Sequence, residues 1–154
     1  MTEHTEVYSG DHCLTTHRKA LILGTRALIV TGRNSTLLHA ASSCILNAIK
    51  LLANLPDNLT LLSPEVIKAV SSLKQQVYNN KGISLDLSET LTALSVSSPS
   101  NPAAKLALDE LTKLKGCEMH LSHIPPAGDE NALRKLSINF TSEPRFTGRN
   151  LLQE

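Results

Sequence analysis

The chain has 154 residues, enough for one domain with one hydrophobic core. Hydrophobic residues make up 41% and charged residues 19%, an ordinary globular balance, and the formal net charge of +1 excludes nucleic-acid or membrane-surface binding driven by bulk charge. Aromatic residues are only 3% with no tryptophan, so the core must be aliphatic and base-stacking platforms are excluded.

Residues 1–18 are polar and without period, and read as a tail. No secretory signal is visible there, and the apolar run 20–30 is too short to span a bilayer. Residues 26–31 read as a buried strand. Residues 35–54 then give the clearest helix. Leu38, Ala41, Ile45, Ala48 and Leu52 fall on one face, His39, Ser43, Asn47, Lys50 and Asn54 on the other, and Ser35 is expected to cap the amino end.

Residues 58–62 are read as a second strand. Ser63 and Pro64 begin a second helix, whose expected buried stripe is Val66, Val70, Leu73 and Val77. Residues 91–97 are ambiguous, with Thr90, Thr92 and Val96 favouring a strand. Asn101 and Pro102 repeat the cap-plus-proline start, and Gly116 marks a stop. Residues 117–124 suit a strand, Asp129 is expected to cap a short helix ending near Leu136, and Ile138 with Phe140 alternate in a last strand.

This order predicts an α/β fold: a three-layer α/β/α domain over 19–147 with a mostly parallel sheet of about five strands, and a tail at 148–154. In such a fold ligands bind at the carboxyl edge of the sheet. Four polar loops that open helices are expected to gather there, at 32–35, 63–65, 97–102 and 123–130.

Gly32, Arg33, Asn34 and Ser35 could hold an anion, since a helix start offers unpaired N–H groups and Arg33 can fork onto a phosphate or carboxylate. Ser97, Ser98 and Asn101 could add polar contacts. A plain turn with a helix cap is the simpler reading of each loop and is preferred for both. Cys117, His120 and His123 have a metal-like spacing, but strand alternation points His120 away from the other two, so no metal is assigned. His120 or His123 with Asp129 are the acid/base candidates. His39, in the first turn, could reach an anion near Arg33, but is read first as a solvated surface residue. The three cysteines, Cys13, Cys44 and Cys117, are sparse and odd in number, which suits a reducing, cytoplasmic setting.

Several segments in order carry a resemblance: Gly32-Arg33-Asn34-Ser35, Leu38-His39-Ala40-Ala41-Ser42, Asn101-Pro102-Ala103-Ala104, Gly116-Cys117-Glu118-Met119-His120, and Asp129-Glu130-Asn131-Ala132-Leu133-Arg134-Lys135-Leu136. Together they resemble the carboxyl-terminal part of the family catalogued as domain of unknown function 1846. The resemblance implies a cytoplasmic protein of several domains, with the amino-terminal domain missing here. Some members carry an ATP-dependent peptidase label, but neither a nucleotide loop nor a metalloprotease helix occurs in this sequence.

Two functions stand open. One is a domain that binds an anionic or phosphorylated small molecule at the sheet edge as part of a larger enzyme. The other is a non-catalytic packing or oligomerisation domain, or a fragment without independent activity, with Leu37, Leu46 and Leu51 as its exposed former interface. No residue pattern names a cofactor, and partners are confined to a small molecule, a second copy or the missing domain, without nucleic acid or membrane.

Overall fold

The computed structural model describes residues 14–17, 29–78 and 82–145. Its strands are β1 (Leu14–His17), β2 (Ile29–Gly32), β3 (Glu118–Leu121) and β4 (Asn139–Ser142), and its helices are α1 (Ala40–Leu52), α2 (Pro64–Gln76), α3 (Leu87–Ser97), α4 (Pro102–Asp109) and α5 (Ala127–Lys135). A 3-10 turn, Leu111–Leu114, follows α4.

The strands form one sheet in the order β2-β1-β3-β4. β1 pairs antiparallel with both β2 and β3, and β3 pairs parallel with β4. So β2, β3 and β4 run one way and share a carboxyl edge, with β1 inserted against them. The expectation of about five mostly parallel strands is corrected in three places. Leu14–His17, expected in a tail, is a strand. Residues 58–62 are turn and coil. Residues 91–97 lie in α3, because the start of that helix is fixed by a capping box: the Asp86 side chain accepts from the Glu89 N–H, and the Glu89 carboxylate accepts from the Asp86 N–H. That box outweighs the modest strand preference of Thr90 and Thr92. Residues 1–13, 18–28 and 146–154, including most of both expected tails, lie outside the described residues.

The caps of α2 and α4 are as expected: Ser63 accepts from the Val66 N–H, and Asn101 from the N–H groups of Ala103 and Ala104. Gly116 has φ of +78°, the left-handed geometry that glycine adopts without strain. Helix α1 forms the centre of the core, with Ala41, Cys44, Ile45, Ala48 and Ile49 buried. Gly32 permits this packing: a Cβ there would overlap the backbone of Ala40 and Cys44. Lys50, expected on the polar face, is buried, and its ammonium donates to the carbonyls of Asp57 (2.7 Å) and Leu59 (3.4 Å). Leu46 is buried too, whereas Leu37 and Leu51 are exposed.

Candidate functional site

Only two of the four polar loops follow a strand of the shared carboxyl edge: residues 33–39 after β2 and 122–126 after β3. The 63–65 loop follows coil, and the 97–102 loop joins α3 to α4. The Ser97 hydroxyl donates to the Ala93 carbonyl (2.9 Å) and that of Ser98 to the Ser95 carbonyl (2.8 Å). Asn101 caps α4 and donates to the Leu61 carbonyl (3.3 Å). The polar groups of this loop thus serve the backbone around them.

The 33–39 loop is held by its own polar residues. Ser35 Oγ accepts from the N–H groups of Leu37 (3.2 Å) and Leu38 (3.0 Å), so it closes a turn and does not cap α1. Asn34 Oδ1 instead accepts from the Ala40 N–H (2.6 Å), the first of the helix. The Ser43 hydroxyl donates to the Arg33 carbonyl (2.9 Å), and Arg33 is exposed. Residues 37–39 then run parallel to Leu85, which donates to the Leu37 carbonyl (2.8 Å) and accepts from the His39 N–H (2.9 Å).

This pairing brings three helix starts together. His39 is the N-cap residue of α1, Asp86 that of α3, and Asp129 lies in the first turn of α5. Asp129 is therefore not the cap that its position before Leu136 suggested. Its side chain is buried and reaches away from its own helix. Oδ2 lies 2.8 Å from His39 Nδ1, and Oδ1 accepts from the Leu87 N–H (2.7 Å), the first of α3. Gly128 lets the Asp86 carboxylate approach α5, because a Cβ there would overlap it. The positive ends of helix dipoles stabilise both carboxylates. These two side chains occupy the space at the helix starts that an incoming anion would otherwise use.

The cluster perturbs its own titration. Burial is the largest single influence on His39 and disfavours its charged form, but the hydrogen bond and charge of Asp129, helped by the charge of Asp86, outweigh it and hold the imidazole above the usual histidine range. Burial pushes the Asp86 carboxyl up; the charges of Glu89 and Asp129 add to this, while its backbone bond at Glu89 and the charge of His39 oppose it. Glu89 also accepts from the buried Lys74 ammonium at 2.8 Å.

The other candidates lie apart from this hydrogen-bonded hub. His120 sits within β3, with Nδ1 2.8 Å from Thr141 Oγ1 on β4 and Nε2 3.3 Å from Glu143 Oε1. His123 is buried just beyond the end of β3. Among the described residues no group of three His, Cys, Asp or Glu side chains is placed to hold a metal ion. Likewise, no helix there is long and apolar enough to cross a membrane. The sequence places His39 near Arg33 but does not reveal its pairing with Asp129, and Asp86 was not singled out. The Asp86-to-Glu89 spacing of a capping box was the signal that could have found the latter.

Residues 11–152 match the family described as domain of unknown function DUF1846, C-terminal. A UPF0371 protein of Clostridium botulinum (strain Eklund 17B / Type B) is 41% identical over 123 residues, covering 80% of this chain and 24% of the relative. Those of Fusobacterium nucleatum subsp. nucleatum and Clostridioides difficile (strain 630) are 42% and 39% identical over the same length. The chain spans about a quarter of the length of these curated relatives, whose coverage is 24–25%.

Proposed function

The chain belongs to the DUF1846 family, and from that premise we propose that it carries one part of a small-molecule site at the carboxyl edge of its sheet, completed by the rest of the longer family protein. The observation that carries this reading is the His39–Asp129 pair. A buried carboxylate fixes the imidazole through Nδ1, so a neutral His39 presents the lone pair of Nε2 for proton transfer, and a protonated one presents an acid. His39 therefore takes the acid/base role, Asp129 orients it, and Asp86 adds negative charge beside it. Arg33, exposed on the same loop, is the residue suited to an anionic group of the substrate. His123, just past the end of β3, stands at the rim of the same edge. Asn34 and Ser35 shape the loop rather than hold the ligand. The sparse cysteines, with Cys44 and Cys117 buried as thiols, support a cytoplasmic setting.

A thermal-shift screen of this chain and of the intact C. botulinum relative, using nucleotides, sugar phosphates and organic acids, tests the reading. Anionic ligands should raise the melting temperature, and Arg33→Ala and His39→Gln should each remove that shift. A flat response from both proteins, or a shift that survives both substitutions, overturns it.

The second reading, a packing domain, is favoured by a different observation: helix α2 turns apolar residues outward.

A further inference from the structure

Lys74 on α2 is only 8% exposed, although a lysine side chain ordinarily keeps its ammonium in water. Its Nζ donates to the Ser84 carbonyl (2.7 Å) and to Glu89 Oε2 (2.8 Å). These two contacts bracket the segment 84–89, and the bonds made between them build the His39 site. Leu85 accepts from the His39 N–H (2.9 Å) and donates to the Leu37 carbonyl (2.8 Å). The Asp86 N–H donates to the same Glu89 Oε2 (2.9 Å), and the Leu87 N–H to Asp129 Oδ1 (2.7 Å). Asp129 Oδ2 then meets His39 Nδ1 at 2.8 Å. One lysine of α2 is thereby joined, through the start of α3 and the first turn of α5, to the imidazole at the start of α1.

The capping box of α3 does not need this lysine, because Asp86 and Glu89 satisfy each other's N–H groups. Charge gives Lys74 a further consequence. Asp86, Glu89 and Asp129 bring three carboxylates together at the starts of α3 and α5. The charged groups that act on His39 come from each of the helices α2, α3 and α5. Asp129 of α5 and Asp86 at the start of α3 favour the imidazolium, and Lys74 of α2 opposes it. An acid/base group must release its proton as well as bind it, and carboxylates alone would hold that proton too tightly.

We propose that Lys74 is a positioning residue of the His39 site: it fixes the 84–89 segment against the Asp129–His39 pair and sets a buried positive charge behind the carboxylates. The inference rests on the reading of His39 as the proton-transfer group. Lys74 acts through Glu89 and Asp86 and not on the substrate.

The titration of His39 tests this, followed by NMR of its ring in this chain, with His39→Gln to assign the signal. Lys74→Met fills the same buried space without the charge, and Lys74→Arg keeps the charge. Glu89→Gln keeps an acceptor for the Asp86 N–H and removes the negative charge. Lys74→Met should raise the proton affinity of His39 at least about threefold, a midpoint rise of about half a pH unit. Glu89→Gln should lower the midpoint, and Lys74→Arg should leave it where it is in the unaltered chain. A lysine that merely supports the fold gives another pattern: loosening the Asp129 contact moves the midpoint down in both Lys74→Met and Glu89→Gln. A midpoint that stays or falls in Lys74→Met overturns the proposal, as does an equal shift in Lys74→Arg. If Lys74→Met does not fold, Glu89→Gln decides alone, and a midpoint that stays or rises there overturns it. The readout involves no ligand, so it can fail while anionic ligands still bind through Arg33 and His39, and a flat ligand screen leaves it intact.

Discussion

His39 and His120 are both histidines with a carboxylate partner, and they differ in what surrounds that partner. Asp129, beside His39, is 2% exposed; Glu143, beside His120, is 41% exposed. The contact distances are 2.8 and 3.3 Å. At the first site the carboxylate also accepts the Leu87 N–H and lies among three helix starts, so the pair is tied into the core. At the second, the partner is partly solvated, and water screens its charge. Chemical identity is nearly the same in the two pairs, and burial separates a candidate proton-transfer group from a surface contact.

The largest test of this contrast is Asp129→Ala. It removes the partner of His39 and strands the Leu87 N–H in the interior. Breaking a buried charged pair from one side costs about 3–5 kcal/mol. Urea denaturation should show that loss, and a change under 1 kcal/mol would put the two histidine sites on an equal footing. Gly128→Ala should come next. Its methyl would overlap the Asp86 carboxylate, which must move away from α5 at a cost of about 1–3 kcal/mol. The same denaturation measurement, repeated on Asp86→Asn/Gly128→Ala, would show whether the displaced charge or the displaced volume matters more.

A third test uses pH. His39 holds its proton above the usual histidine range, so the folded state binds that proton more tightly than the unfolded chain does. Its contribution to stability is therefore fully present below the unfolded histidine pKa and is lost as pH rises through the raised folded value. The stability difference between the unaltered chain and His39→Gln should shrink from about pH 5.5 to about pH 9. A difference that grows over this interval would mean that burial, not Asp129, dominates the imidazole.

The comparison also shows where sequence reading works. The caps at Ser63 and Asn101 act within three residues, and the prolines after them add a local constraint, so both helix starts were legible. The pair of His39 with Asp129 spans 90 positions and depends on the parallel contact of Leu38 with Leu85, for which no local pattern exists. Cap and contact also compete for the same residue types. Asp129 looks like an N-cap because it precedes a helical run, yet the helix begins earlier, at Ala127, and the carboxylate serves a different helix. Helix α2 misleads in another way. Its period correctly gives a helix, but of the expected stripe Val66 and Val70 pack against the core while Leu73 and Val77 are exposed, a difference that period alone does not carry.

The smallest effect should come from Glu143→Gln. Glu143 Oε1 lies 3.3 Å from His120 Nε2, but the glutamate is partly solvated and Nδ1 of the same imidazole already meets Thr141 Oγ1 at 2.8 Å. Removing the charge leaves an amide of nearly the same shape, and the ring keeps its contact across β3 and β4. Exposed ion pairs contribute about 0–1 kcal/mol, and salt reduces even that. The substitution should change stability by less than about 0.5 kcal/mol at low salt, with the residual effect vanishing at high salt. A loss comparable to that of Asp129→Ala, insensitive to salt, would show that His120 is held as firmly as His39. It would return His120 to the proton-transfer role, since fixation by a carboxylate, not proximity to one, is what distinguishes the two imidazoles.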